Sequence, residues 1–240
     1  MRRAFVGEIG LAGRQRGEQV QLPPDAAHHL ERVLRLLPGT PVELFDGEGL
    51  VAGARLLGGG IVELDGVAPA PALLPPLVVA QAAVRGPKLE EVVRRGTELG
   101  ASAFQVFQAE RSNTPAPRLD RLERVVQQAA RQAERAQVPS LTGPSTFSQL
   151  VDEVRAARGV VVVGALGAPR ALSEVLADHP HFRGEGMMVV IGPEGGLAPR
   201  ELRDLEEAGA VTVRLGVHVL RTETASLAAL ACAQAALATL

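Results

Sequence analysis

The sequence predicts an α/β protein in which short strands close a small β-barrel and a helix-covered parallel sheet follows. Three observations predict it. Up to about residue 70, short strand-like segments are separated by closely spaced glycine turns, as an all-β module needs. The stretch APAPALLPP at 68–76 is too rich in proline for a helix or a central strand and marks a boundary. Beyond it, apolar runs alternate with amphipathic segments, the pattern of buried parallel strands joined by helical crossovers.

In the first part, RAFV (3–6) and EQVQL (18–22) read as strands, and Pro23 and Pro24 precede a helix over DAAHHLERVLRLL (25–37). PVELFDG (41–47), LVAGARLL (50–57) and GIVELDGV (60–67) read as further strands, with Gly47, Gly49, Gly58, Gly59 and Gly60 in the hairpin turns. In the second part, strands are expected at 77–84, 103–107, 160–165, 187–191 and 211–215. Helices are expected near 88–99, 118–136, 146–157, 170–177, 199–208 and 223–238. Pro199 in a first turn and Ser145 or Thr146 as an N-cap support two of those starts. In the helix at 118–136, Leu122, Val125, Val126, Ala129 and Ala133 form the apolar stripe. Gln128, Arg131, Gln132 and Arg135 share another face, made of donors and positive charge.

With 240 residues, 46% of them hydrophobic, the chain can bury one large core or two modest ones. No apolar run is flanked like a membrane span, and MRRAFVGEIG lacks a stretch of signal-peptide length, so a cytoplasmic protein without membrane contact is expected. The lone Cys232 excludes an intramolecular disulfide and a thiolate metal cluster, and the five scattered histidines lack ligand spacing, so no metal is expected. A net charge of −2 excludes a polybasic coating. Of the 25 basic residues only Lys88 is a lysine, which a GC-rich coding bias explains more simply than a need for bidentate phosphate contacts.

Three strand ends carry the chemistry. In VVIGPEGGLAPREL (189–202) a buried strand stops at Gly192, and Gly195 and Gly196 turn the backbone before a helix opens at Pro199. VVVVGALGAP places Gly164 and Gly167 around Leu166 after another strand, and Gly216 follows the last strand. None of these is a P-loop or a dinucleotide fingerprint. Together they are suited to line one pocket for a flat, partly apolar ligand. In LGVHVLRTETA (215–225) the positive end of the last helix favours Glu223, and N-capping accounts for Thr222 and Thr224. Capping does not account for Arg221, a cation beside that same end, which calls for an anionic or carbonyl-rich partner. The helix behind it is apolar all round and is therefore buried within the fold or against a second subunit.

These segments, with KLEEVVRRGTELGA, ERS, RQAERAQVP and HHLERVLRLLPG upstream, resemble the bacterial small-subunit (16S) ribosomal RNA uracil-N3 methyltransferases of the SPOUT superfamily. The resemblance covers nearly the whole chain. It implies a PUA-like RNA-binding barrel over 1–70 and a methyltransferase domain over 71–240 with a C-terminal trefoil knot. It implies an S-adenosyl-L-methionine site built by Leu166, Ile191, Gly192, Pro193, Glu194, Gly195, Gly196, Leu215, Gly216, Val219, Leu220, Thr222, Thr224 and Ala225. It further implies a homodimer with the apolar last helix at the interface, and small-subunit ribosomal RNA or the assembled small ribosomal subunit as partner. One departure is visible. Where the family reads Glu-Gln-small-Gly-Arg, this chain has Arg131, Gln132, Ala133, Glu134 and Arg135.

On this reading Arg221 and Glu223 are the catalytic candidates. Loss of the N3 proton spreads negative charge over the uracil carbonyl oxygens, which Arg221 and the helix end are suited to stabilise, while Glu223 orients the base or accepts the proton. Arg2, Arg3, Arg14, Arg16, Lys88, Arg94, Arg111 and Arg135 are the candidate RNA contacts. Two alternatives are a non-catalytic RNA-binding or ribosome-assembly factor, which has no need of the LRTETA cluster, and a Rossmann-type nucleotide enzyme, whose glycine fingerprint is missing.

Overall fold

The computed structural model describes residues 2–72, 74–115 and 117–238. They form a mixed α/β fold with a five-stranded mixed sheet and a six-stranded parallel sheet. The chain divides into two compact units: residues up to Ala72 together with Gln127–Val138, and the remainder.

In the first unit β1 (Arg2–Phe5), β2 (Gln19–Gln21), β3 (Pro41–Phe45), β4 (Leu50–Gly58) and β5 (Ile61–Pro69) form a sheet in the order β1-β3-β4-β5-β2. Only β1 and β3 pair in parallel. Alternate residues, among them Val42, Leu44, Ala54, Leu56, Val62 and Leu64, point into one core with Val6, Leu11 and Leu30. α1 (Pro24–His28) runs into a π-helical turn over His29–Val33 and stops there, short of the expected 37. Arg35 takes φ 52, and Leu37 is 73% exposed, so a longer helix has no apolar seat for its last turn.

In the second unit β6 (Leu77–Ala82), β7 (Ala103–Gln108), β8 (Ser140–Thr146), β9 (Val160–Gly164), β10 (Met187–Ile191) and β11 (Val211–Val213) lie in the order β11-β9-β10-β6-β7-β8. The helices are α2 (Gly86–Glu98), α3 (Leu119–Gln132, whose last residues cluster with the first unit), α4 (Phe147–Ala156), α5 (Leu172–Asp178), α6 (Phe182–Glu185), α7 (Pro199–Glu207) and α8 (Thr222–Ala238). The central strands are buried on both faces and for that reason read as apolar runs, broken only in β6 by Gln81 among these three strands. α4 starts where expected, because Thr146 Oγ1 accepts from Gln149 N–H at 3.2 Å while Gln149 Oε1 accepts from Thr146 N–H at 2.8 Å. α8 packs on β6 and β10 between α2 and α5 and buries Thr222, Ser226, Ala229, Leu230 and Ala233. Among the described residues, no helix is long and apolar enough to cross a membrane.

Further elements also differ from expectation, α6 among them, which matches no expected helix. β8 was not foreseen, since it contains Gly143 and Pro144 and buries no residue fully; it lies at the edge of the sheet, where proline is tolerated. β11 stops at Val213 rather than 215, leaving Leu215 and Gly216 in a loop. α3 stops at Gln132 rather than 136, so Arg135 is not on its polar face. Glu134 takes φ 53, and the N–H of Arg135 donates to the Ala130 carbonyl at 2.9 Å, a left-handed helix ending. The turn that follows pairs with the turn between β3 and β4: Gly49 N–H donates to Ala136 O at 2.9 Å and Val138 N–H to Gly47 O at 2.8 Å.

Candidate functional site

The carboxyl ends of the neighbouring strands β11, β9 and β10 release three loops that converge on one cavity of about 890 Å³. Such crevices beyond the strand ends are where open α/β sheets hold ligands. Leu166 comes from the loop after β9. Ile191, Gly192, Pro193, Glu194, Gly195 and Gly196 come from the end of β10 and its loop. Leu215, Gly216, Val219, Leu220, Arg221, Thr222 and Ala225 come from the segment after β11, and all of these line the cavity, as does Lys88. Glu223 and Thr224 do not line it: Thr224 faces solvent, and Glu223 is half-buried with Oε2 enclosed and without a hydrogen-bond partner. Three large aliphatic side chains stand open on the cavity wall, Leu166 at 77%, Val217 at 89% and Val219 at 76% exposure. That much apolar surface in one place marks a binding surface.

The loop after β10 is shaped by two glycines. A Cβ on Gly192 would lie 2.9 Å from Leu197 N, closer than real contacts allow, and Gly196 takes φ +69 in a turn closed by its N–H to Pro193 O at 2.8 Å. Gly195, expected to share that constraint, does not: its φ is ordinary and a Cβ there would meet the Arg111 side chain at an unstrained 3.6 Å. Two cations hold this loop. Lys88 Nζ reaches Glu194 Oε1 at 2.7 Å, and Arg111 Nη1 donates to Gly195 O at 3.0 Å. The Lys88 hydrogen bond, helped by the charge of Arg85, holds the Glu194 carboxyl below the usual carboxylate range. Behind the loop, buried Glu201 fixes the start of α7: its carboxylate accepts from Ala198 N–H and Glu110 N–H, each at 2.8 Å.

The start of α8 differs from the capping expected of it. Arg221, rather than a threonine, takes the capping position, and its carbonyl accepts from Ala225 N–H at 2.8 Å. The Thr222 hydroxyl turns inward and donates to Gly192 O at 2.8 Å while accepting from Gln81 Nε2 at 2.9 Å. Ser226 Oγ donates to Gln81 Oε1 at 2.6 Å. Gln81 and Ser226 were missed in the sequence; the one usable signal was a lone amide in the apolar run LVVAQAAV. The exposed Arg221 guanidinium has no hydrogen bond or ion pair among the described residues. It stands at the cavity as a charge without an internal partner.

The remaining basic candidates fall into two groups. Arg2 and Arg16 are exposed, and Arg94 is exposed beside Glu91 at 3.7 Å. Arg3 pairs with Glu43 at 2.7 Å and reaches the Glu134 carbonyl, while Arg14 bonds Glu18 at 2.6 Å, Gly10 O at 2.9 Å and Ile9 O at 3.0 Å. Arg135 is half-buried, and burial lowers its pKa. Cys232 is a free thiol on α8, raised in pKa by burial.

Glycine-shaped loops at neighbouring parallel strand ends, closing on one cavity beside an unpaired arginine, define a small-molecule-binding α/β protein. The chain belongs to the RNA methyltransferase domain family, whose family model matches residues 72–234. The Mycobacterium bovis protein named ribosomal RNA small subunit methyltransferase E is 37% identical over 221 residues, 86% of this chain and 82% of its own. The protein of the same name from Synechocystis is 35% identical over 219 residues, 88% of this chain and 71% of its own. The ribosomal RNA small subunit methyltransferase E from Neisseria gonorrhoeae, solved bound to S-adenosyl methionine, aligns with a TM-score of 0.73 and 29% identity over 98% of this chain and 97% of its own.

Proposed function

We propose that this protein methylates N3 of a uridine in small-subunit ribosomal RNA with S-adenosylmethionine as donor. Family membership and the naming of its relatives support the reaction class; the observation that carries the site is the unpaired Arg221 on a cavity of about 890 Å³. The cavity suits the donor in size and in its mixture of bare glycine backbone with exposed Leu166, Val217 and Val219. When bound, S-adenosylmethionine supplies an electrophilic methyl group on a sulfonium centre. Gly192 to Gly196, Leu215 to Leu220, Thr222 and Ala225 are the residues proposed to hold it.

The chain's own residues handle the base. N3 lies on the Watson–Crick edge and carries a proton at neutral pH, so the uridine enters unpaired and the proton leaves before or during methyl transfer. The charge then spreads onto O2 and O4. Arg221, seated at the positive end of the 17-residue α8, stabilises it; Glu223, which does not line the cavity, has no part in this step. The first unit is proposed to be a PUA-like RNA-binding module, with Arg2 and Arg16 as phosphate contacts. Lys88, Arg94 and Arg111 contribute from the second unit, which is proposed to carry a trefoil knot. A cytoplasmic homodimer completes the reading.

The test is mass spectrometry of small-subunit ribosomal RNA from a strain lacking the gene, complemented by wild type or by Arg221→Ala. A methylated uridine is expected to disappear in the deletion, to return with wild type and not to return with the variant. With cofactor and RNA saturating, Arg221→Ala is expected to cut turnover by about a hundredfold or more. Raising the pH is expected to rescue it in part, because more of the uridine is then already deprotonated. Wild-type turnover, or a defect confined to cofactor affinity, removes the anion-stabilising role.

A further inference from the structure

We infer that Gln81 is a positioning residue, whose buried amide locks the cofactor loop and the first turn of α8 together and so sets where Arg221 stands over the cavity. Gln81 lies on β6 at the centre of the parallel sheet and is 1% exposed, in register with Ile191 of β10 on one side and Val106 of β7 on the other. Its neighbours on the strand are valines and alanines. At such a site an aliphatic residue of the same length packs without any cost of desolvating an amide.

The hydrogen bonds say what the amide does there. A threonine hydroxyl has one proton to give, and that of Thr222 goes to Gly192 O at 2.8 Å. The same oxygen therefore accepts from Gln81 Nε2 at 2.9 Å, which turns Gln81 Oε1 toward the Ser226 hydroxyl at 2.6 Å. The network has a single polarity, and Gln81 Nε2 also reaches Ala82 O at 3.2 Å. Thr222 and Ser226 are one turn apart on the same face of α8, so one amide grips the helix twice and, through Thr222, the first residue of the loop after β10, Gly192. Arg221 immediately precedes Thr222, and Ile191, Gly192, Arg221, Thr222 and Ala225 all line the cavity. A shift or rotation of the start of α8 against the loop breaks these bonds together.

This rests on the reading of Arg221 given above, and the experiment separates the two. Gln81→Met preserves length and apolar packing while deleting the network; Gln81→Glu keeps the shape but removes the donor to Thr222. Turnover at saturating RNA and cofactor, S-adenosylmethionine affinity by calorimetry and thermal unfolding are measured for each, alone and with Arg221→Ala. Both Gln81 variants are expected to bind cofactor within about threefold of wild type and to lose about tenfold or more in kcat at unchanged KM. In the Arg221→Ala background Gln81→Met is expected to cost nothing further in kcat, because the group it positions is gone. Gln81→Met turning over at the wild-type rate, whatever its Tm, or losses that multiply with Arg221→Ala, overturn the positioning role. Arg221→Ala at the wild-type rate overturns the underlying reading instead. If neither Gln81 variant folds, Ser226→Ala decides: a kcat loss of about threefold or more supports the lock, and an unchanged kcat refutes it.

Discussion

Gly195 and Gly196 stand side by side in the loop after β10, yet only Gly196 occupies backbone space closed to other residues, at φ +69. A left-handed backbone costs an L-residue about 1–2 kcal/mol, which is about a tenfold change in an equilibrium constant. Gly196→Val is therefore expected to weaken S-adenosylmethionine binding by about tenfold in calorimetry, with the fold retained. Gly195→Ala, whose new methyl meets only the side of Arg111 at 3.6 Å, is expected to stay near wild type. Equal effects of the two changes count against this account of the loop. Sequence marked both as turn glycines but held no information about which of the pair takes the unusual φ. Thr222 teaches the same lesson. A threonine at a helix start reads locally as a cap, and a partner 141 residues away, Gln81, claims its hydroxyl instead. Residue types at the strand ends were legible because glycine, proline and unpaired charge have local meanings; their hydrogen-bond partners were not, because those are set by how distant strands stack.

Among the elements, the strands of the parallel sheet were readable as apolar runs, and α4 and α7 as capped or proline-started helices. β8 was not, because an edge strand with alternate half-buried residues leaves no run of its own and carries a proline. The end of α3 was misplaced for another reason. Its donor-rich face continues past Gln132 in the sequence, but Glu134 at φ 53 ends the helix, and Arg131 then lies over the Phe5 ring at 4.2 Å. The family pattern has glycine where this chain has Glu134, and the left-handed ending supplies the physical reason. Glu134→Gly is accordingly expected to stabilise the protein by about 1 kcal/mol and to raise Tm by about 2–4 °C. Thermal unfolding checks this, and a lowered Tm would mean that the Glu134 side chain contributes more than its backbone costs. The Arg3 bond to the Glu134 carbonyl is a backbone contact and survives the change.

For the whole molecule, what the sequence left open was whether the apolar last helix is consumed within the fold or shared with a second subunit. Part of it is consumed: Ser226, Ala229, Leu230 and Ala233 are buried against β6, β10, α2 and α5. The opposite face is not. Thr224, Ala231 and Ala238 are exposed and Leu227 and Ala228 half-buried, and their spacing of three, four and seven places them along one side of α8. Small side chains on that side let another surface approach the helix backbone closely, and a row of exposed apolar groups on a free monomer favours association. A homodimer through this face is the expected outcome, so sedimentation at micromolar concentration should report twice the 25.1 kDa chain mass. Ala231→Arg places a large charge at the middle of the exposed side without touching the buried one, and is expected to shift the species to a folded monomer whose far-ultraviolet spectrum is unchanged. A wild-type chain that sediments as a stable monomer, or a variant that remains dimeric, places the subunit contact elsewhere.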